Sequence, residues 1–96
     1  LAISRYVTIN DTEVQVSGFI YRAIEDELLS YDTVISKEGM RIDQYAYKYY
    51  EDADDWWLIA AASGIGWWLQ VPPGIVLRIP NNITQVEKFI QTIGEQ

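Results

Sequence analysis

The run from Lys37 to Pro80 constrains the fold more than any other part of the chain. It carries Gly39, then Ile42-Asp43-Gln44-Tyr45-Ala46-Tyr47-Lys48-Tyr49-Tyr50, the pair Trp56-Trp57, and Pro72-Pro73-Gly74-Ile75-Val76-Leu77-Arg78-Ile79-Pro80. Ile42, Tyr45, Ala46 and Tyr49 fall at i, i+3, i+4 and i+7, so they share one helix face. Glu51-Asp52-Ala53-Asp54-Asp55 then interrupts the apolar pattern and sets carboxylates where a helix N-terminus offers unpaired N–H groups. A second helix is expected from Trp56 through Ala62, stopping near Gly64, which accepts the left-handed conformation of a C-terminal cap. Pro72-Pro73-Gly74 is a rigid turn feeding the strand Ile75 to Ile79, and Pro80 ends that strand by removing a ladder donor. With the β-branched run Thr33-Val34-Ile35-Ser36 and the turn Lys37-Glu38-Gly39 ahead of it, the order is strand, helix, helix, strand.

The flanks read differently. Tyr6 to Val16 alternates apolar and polar residues on either side of Asn10-Asp11-Thr12, which predicts two short strands joined by a tight turn, with one wet face. From Gly18 to Leu29 two patterns compete: Phe19, Ile20, Ala23, Ile24 and Leu28 fit a helical stripe, whereas Phe19-Ile20-Tyr21 also fits an extended arm. At the other end Asn82 and Gln85 form a capping pair before Ile83, Val86, Phe89, Ile90 and Ile93, the apolar stripe of a C-terminal helix.

Ninety-six residues suffice for one domain with one small core, and 49% apolar residues with seven Tyr, four Trp and two Phe supply its side chains. A net charge of -7 has the wrong sign for a nucleic-acid backbone or an anionic membrane surface. The absence of Cys and His removes disulfides, thiolate zinc sites and imidazole chemistry. No stretch approaches the roughly 20 apolar residues of a membrane span, and Leu1 to Arg5 lack the order of a signal peptide, so no cleaved leader is expected. Glu51, Asp52, Asp54 and Asp55 lack the glycine and the distal glutamate of a calcium loop, which makes a solvated loop the expectation. Fourteen acids offer chance pairs for glycoside hydrolysis but no argued cleft. No catalytic, cofactor-binding or metal residues are therefore assigned, and no enzyme is expected.

The turn Glu38-Gly39-Met40-Arg41, the aromatic helix from Ile42 to Tyr50, the pair Trp56-Trp57 and the segment Pro73-Gly74-Ile75-Val76-Leu77-Arg78-Ile79-Pro80 together resemble a LysM-like domain. Within that family the variant it resembles belongs to tail protein X and the baseplate wedge proteins of contractile-tailed phages. The resemblance covers residues 34–80. It implies a small α+β fold: a βααβ unit at 34–80, an N-terminal extension at 1–33 holding the hairpin, and a C-terminal helix at 81–96. It also implies a structural role in the baseplate of a virion tail assembled in the host cytoplasm, with other tail baseplate proteins as partners and no cofactor.

In glycan-binding LysM domains a sugar groove lies between the loop after strand one and the loop before strand two. By resemblance that groove maps to Gly39, Met40, Arg41 and the region from Trp67 to Pro72. The family's usual Gly-Asp-Thr-Leu turn reads Gly39-Met40-Arg41-Ile42 here, which favours assembly over peptidoglycan or chitin, the alternative. Trp56 and Trp57 point about 100° apart on a helix, so they cannot share one core line, and Trp67 and Trp68 point to opposite sides of an extended loop. Each pair is a candidate partner contact as well as candidate core. The stripe Ile83, Val86, Phe89, Ile90 and Ile93 is a candidate docking helix.

Overall fold

The structure is a computed structural model, and it describes residues 5–65 and 71–94. Strands β1 (Tyr6–Ile9) and β2 (Thr12–Gln15) form an antiparallel hairpin in which Ile9 faces Thr12 across a two-residue turn. Asn10 and Asp11 both take positive φ, 51° and 63°, the backbone handedness that matches the twist of a two-residue hairpin. Val7, Ile9 and Val14 are half-buried and their neighbours are exposed, giving the expected wet face.

The ambiguous segment is helical. Helix α1 spans Ser17–Glu25 and buries Ile20, Ala23 and Ile24. Its end was hidden from the sequence because the left-handed residue is Glu27, with φ 60°, and not a glycine. Leu28 N–H donates to Ala23 O at 2.8 Å and Glu27 N–H to Ile24 O at 3.2 Å, closing the last carbonyls in a Schellman arrangement. Because the helix stops there, Leu28 does not extend the buried stripe; Leu29 enters the core instead.

Strand β3 (Tyr31–Ile35) pairs antiparallel with β4 (Val76–Pro80), and between them lie α2 (Ile42–Tyr50), a 3-10 turn (Ala53–Asp55) and α3 (Trp56–Ser63). The β-α-α-β order expected for 34–80 is present, with its first strand beginning three residues earlier. Gln44 Oε1 accepts from Arg41 N–H at 2.6 Å, fixing the entry of α2. Gly64, at φ 71°, closes α3, with Ile65 N–H donating to Ala60 O at 3.3 Å. Helix α4 spans Ile83–Gly94, and Asn82 Oδ1 accepts from Gln85 N–H at 3.1 Å as its cap. Gln85 does not return its side chain to Asn82; its Oε1 accepts from Ser30 N–H at 2.9 Å and so ties α4 to the entry of β3.

Helix α3 is apolar around its whole circumference, and such a helix must be covered on every side. Ile59 and Ala60 join Ile42, Tyr45, Ala46, Leu77 and Ile79 in the core of the β-α-α-β unit. Trp57, Leu58 and Ala62 face the opposite way and join Val16, Ile20, Ala23, Ile24, Leu29, Val86 and Ile90. The architecture is a small α+β fold with two cores that share one helix. Half of α3 is thus covered by α1, Leu29, α4 and the hairpin end, so the flanks complete the core of the β-α-α-β unit.

Candidate functional site

Each predicted contact residue has a definite place. Trp57 is 1% exposed and fills the flank-side core, so it is not a partner contact. Trp56 is half-buried, packs against both cores, and has the Arg5 guanidinium 6.0 Å from its ring centroid. Trp67 and Trp68 lie outside the described residues. In the candidate docking helix Val86, Ile90 and Ile93 are buried within the chain and Ile83 and Phe89 are half-buried, so most of that stripe is already used. The reason is the two-sided α3, which draws α4 in as cover.

The loops of the proposed glycan groove do meet. Ser36, buried at the end of β3, donates its hydroxyl to Pro72 O at 2.7 Å and accepts from Ile75 N–H at 2.8 Å. Gly74 N–H donates to Ser36 O at 3.0 Å, and the Tyr45 hydroxyl accepts from Lys37 N–H at 3.2 Å. One serine thus fastens the turn before β4 to the turn before α2, and Gly39, Met40, Arg41 and Pro72 occupy the same end of the sheet. Arg41 Nε lies 3.2 Å from Asp43 Oδ1, and Met40 packs into the sheet-side core. Neither side chain is free of the fold's own contacts.

The acidic loop is not uniformly solvated, which corrects the expectation from sequence. Asp52 Oδ1 accepts from Asp54 N–H at 3.0 Å as cap of the 3-10 turn, while Asp55 is 1% exposed at the start of α3. Asp55, Tyr50, Lys48, Tyr49, Glu51 and Ile83 line a cleft of about 300 Å³. Burial, and then the carboxylates of Asp55 and Asp32, push the Tyr50 phenol above the ordinary tyrosine value, and its hydroxyl donates to Pro80 O at 2.7 Å. Among the described residues no group of three or more acids is placed to hold a metal ion, and no helix is long and apolar enough to cross a membrane.

A groove that the sequence did not single out lies between α1 and α4. Phe19, Ala23, Leu28, Phe89 and Ile93 form its apolar lining, Arg22 and Asp26 sit among them, and its volume is about 220 Å³. Leu28 is 59% exposed, and Phe19 is also exposed. The sequence signal was available: Phe19 and Phe89 were both assigned to helical stripes. What it could not tell was that α1 ends early and leaves Leu28 on the rim.

The outer face of the β3–β4 sheet is also uncovered at one end. Ile35 and Val76 are cross-strand partners, 53% and 50% exposed. Arg78 on the same face places its guanidinium 5.7 Å from the Tyr31 ring centroid and pairs with Glu25, whose carboxyl that hydrogen bond holds below its ordinary value. Comparison of the chain with protein-family models, with curated proteins and with solved structures finds no match.

Proposed function

We propose that this chain is a structural component of a contractile-tail baseplate, a LysM-like adaptor that joins neighbouring tail subunits by protein–protein contacts and performs no chemistry. Its place would be the virion tail, reached by assembly in the cytoplasm of the bacterial host. The baseplate setting rests on the resemblance at residues 34–80 and is an analogy from fold to function. The observation that carries the adaptor role is the α1–α4 groove, where Phe19, Leu28 and Phe89 offer a small apolar seat on the flanks. An aromatic and aliphatic cluster of this kind, with Arg22 and Asp26 beside it, has the composition of an interface anchor ringed by polar residues.

The test is incorporation into tail particles assembled with the flanking tail subunits. The wild-type chain is expected in purified particles at fixed stoichiometry, and Leu28→Glu, which changes an exposed residue, is expected to keep its thermal midpoint and lose incorporation at least tenfold. Equal incorporation of the variant would remove the groove as the seat. Absence of the wild-type chain from particles, together with a saturable tryptophan-fluorescence response to N-acetylglucosamine oligomers, would transfer the assignment to the peptidoglycan or chitin alternative.

A further inference from the structure

The backbone of β3 has one open edge. Hydrogen-bonded pairs in an antiparallel ladder alternate with pairs whose N–H and C=O groups turn outward. Ser36 N–H donates to Ile75 O and Asn81 N–H donates to Ser30 O, at the two ends of the Tyr31↔Pro80 to Ile35↔Val76 register. Even-numbered residues of β3 therefore bond to β4, and Tyr31, Thr33 and Ile35 turn their N–H and C=O away from it. Among the described residues nothing pairs with that edge; β3 has β4 as its one strand neighbour. The edge carries no proline and no lysine, its one charged residue is Asp32, and all three outward residues are exposed.

We propose that the β3 edge pairs with the β3 edge of a second copy of this chain, antiparallel about a two-fold axis at Thr33. The side chains favour this occupant, through aromatic–β-branched and Thr–Thr pairs across the two-fold axis. With Thr33 opposite Thr33 of the second copy, Tyr31 lies opposite Ile35 and Ile35 opposite Tyr31, so all three outward residues form hydrogen-bonded pairs. Asp32 then faces Val34 of the second copy. Sliding two residues one way sets Asp32 opposite Asp32, with like charges adjacent, and leaves fewer bonded pairs. Sliding two residues the other way also leaves fewer. The two-fold register alone uses the whole edge, and it joins the exposed Ile35, Val76 and Tyr31 of both copies into one outer face on a four-stranded sheet. An isologous contact of this kind closes on itself and does not propagate. Each copy brings a net charge of -7, so the dimer is expected to strengthen with salt. This inference does not depend on the tail-assembly reading, since it concerns the isolated chain.

Sedimentation equilibrium of the purified chain tests it, at about 0.1 M and about 1 M salt, where the screening length falls from about 10 Å to about 3 Å. The expected result is a reversible monomer–dimer equilibrium whose association constant rises with salt. Thr33→Lys sets two ammonium groups opposite each other and is expected to lower that constant about tenfold or more. Its circular dichroism should match the wild type, because Thr33 is exposed. Because the chain has no cysteine, Thr33→Cys gives an independent readout. A hydrogen-bonded pair holds its Cα atoms about 5.5 Å apart, within disulfide reach, so mild oxidation should link two copies. Asp32→Cys should not link, since diagonal neighbours lie about 7–8 Å apart. A chain that stays monomeric at every salt and does not cross-link through Thr33→Cys overturns the proposal. So does a dimer that survives Thr33→Lys or links equally through Asp32→Cys. A monomer whose Thr33 amide gains protection from hydrogen exchange only when a tail subunit is added would assign the edge to a foreign strand and also overturn it.

Discussion

The two edges of the β3–β4 sheet begin with the same backbone chemistry and end in opposite states. On β4 the outward groups of Arg78 and Pro80 are answered from within the chain. Arg78 N–H donates to Ser63 Oγ at 2.8 Å, the same hydroxyl donates to Arg78 O at 3.4 Å, and Tyr50 donates to Pro80 O. Pro80 itself has no N–H to satisfy. On β3 the register partner of Arg78, Thr33, has no such answer among the described residues. A helix terminus accounts for the difference. Ser63 is the last residue of α3 and Tyr50 the last of α2, and both helices end beside β4. Two hydroxyl side chains thus replace a neighbouring strand on one edge, and the other edge is left as the surface on which pairing with another chain is geometrically simplest.

That contrast can be broken most severely at the register pair itself. Arg78→Pro removes the donor to Ser63 and the partner of Glu25 on the closed edge, and is expected to cost about 3 kcal/mol or more, read as a lower midpoint in urea unfolding. Ser63→Ala leaves both outward groups of Arg78 without the hydroxyl. The expected loss is about 1–3 kcal/mol, with faster exchange of the Arg78 amide. Tyr50→Phe tests the second hydroxyl and is expected to cost about 1 kcal/mol.

Tyr50 also gives the comparison a pH signature. Its pKa is raised in the folded state, so its contribution is fully present below the ordinary tyrosine value near pH 10 and is lost as pH rises above it. Wild-type stability should therefore fall above about pH 10 more steeply than that of Tyr50→Phe, by up to about 1.4 kcal/mol per pH unit. Gly64→Ala perturbs the turn beside Ser63. At φ 71° a side chain is strained, and a Cβ there would sit 2.6 Å from Tyr21 Cε1, though the exposed Tyr21 ring can move. About 1–2 kcal/mol is expected, by thermal unfolding. The smallest effect belongs to the open edge: Thr33→Pro deletes an N–H that has no partner among the described residues and is expected to change monomer stability by about 0.5 kcal/mol or less. Near-equal costs for Arg78→Pro and Thr33→Pro would erase the distinction between the edges.

The local elements were legible because local patterns encode them. The hairpin follows from Asn10-Asp11, α2 from its aromatic stripe, the end of α3 from Gly64, and the cap of α4 from Asn82. Each of these signals lies within a few residues of the feature it controls. The end of α1 was not legible, because Glu27 adopts a conformation for which glycine is the usual marker. The groove followed from that miss, since Leu28 reaches its rim only when the helix stops. Of the predicted contact residues, Trp57 and most of the α4 stripe turned inward, and the Gly39, Arg41 and Pro72 loops converged through Ser36, a residue with no distinguishing sequence signal.

By itself the sequence determined which residues are apolar on which face, where most elements begin and stop, and the acidic balance without Cys or His. Those properties are set by side-chain identity and by interactions along a few neighbouring residues. Only the tertiary structure decided what each face meets. The Ser30 hydroxyl reaches Gln85 across 55 positions, that of Ser63 reaches Arg78 across 15, and that of Ser36 reaches Ile75 across 39. A hydroxyl can donate and accept in almost any context, so its type does not name its partner; packing around the two-sided α3 chose it, and left β3 with the open edge.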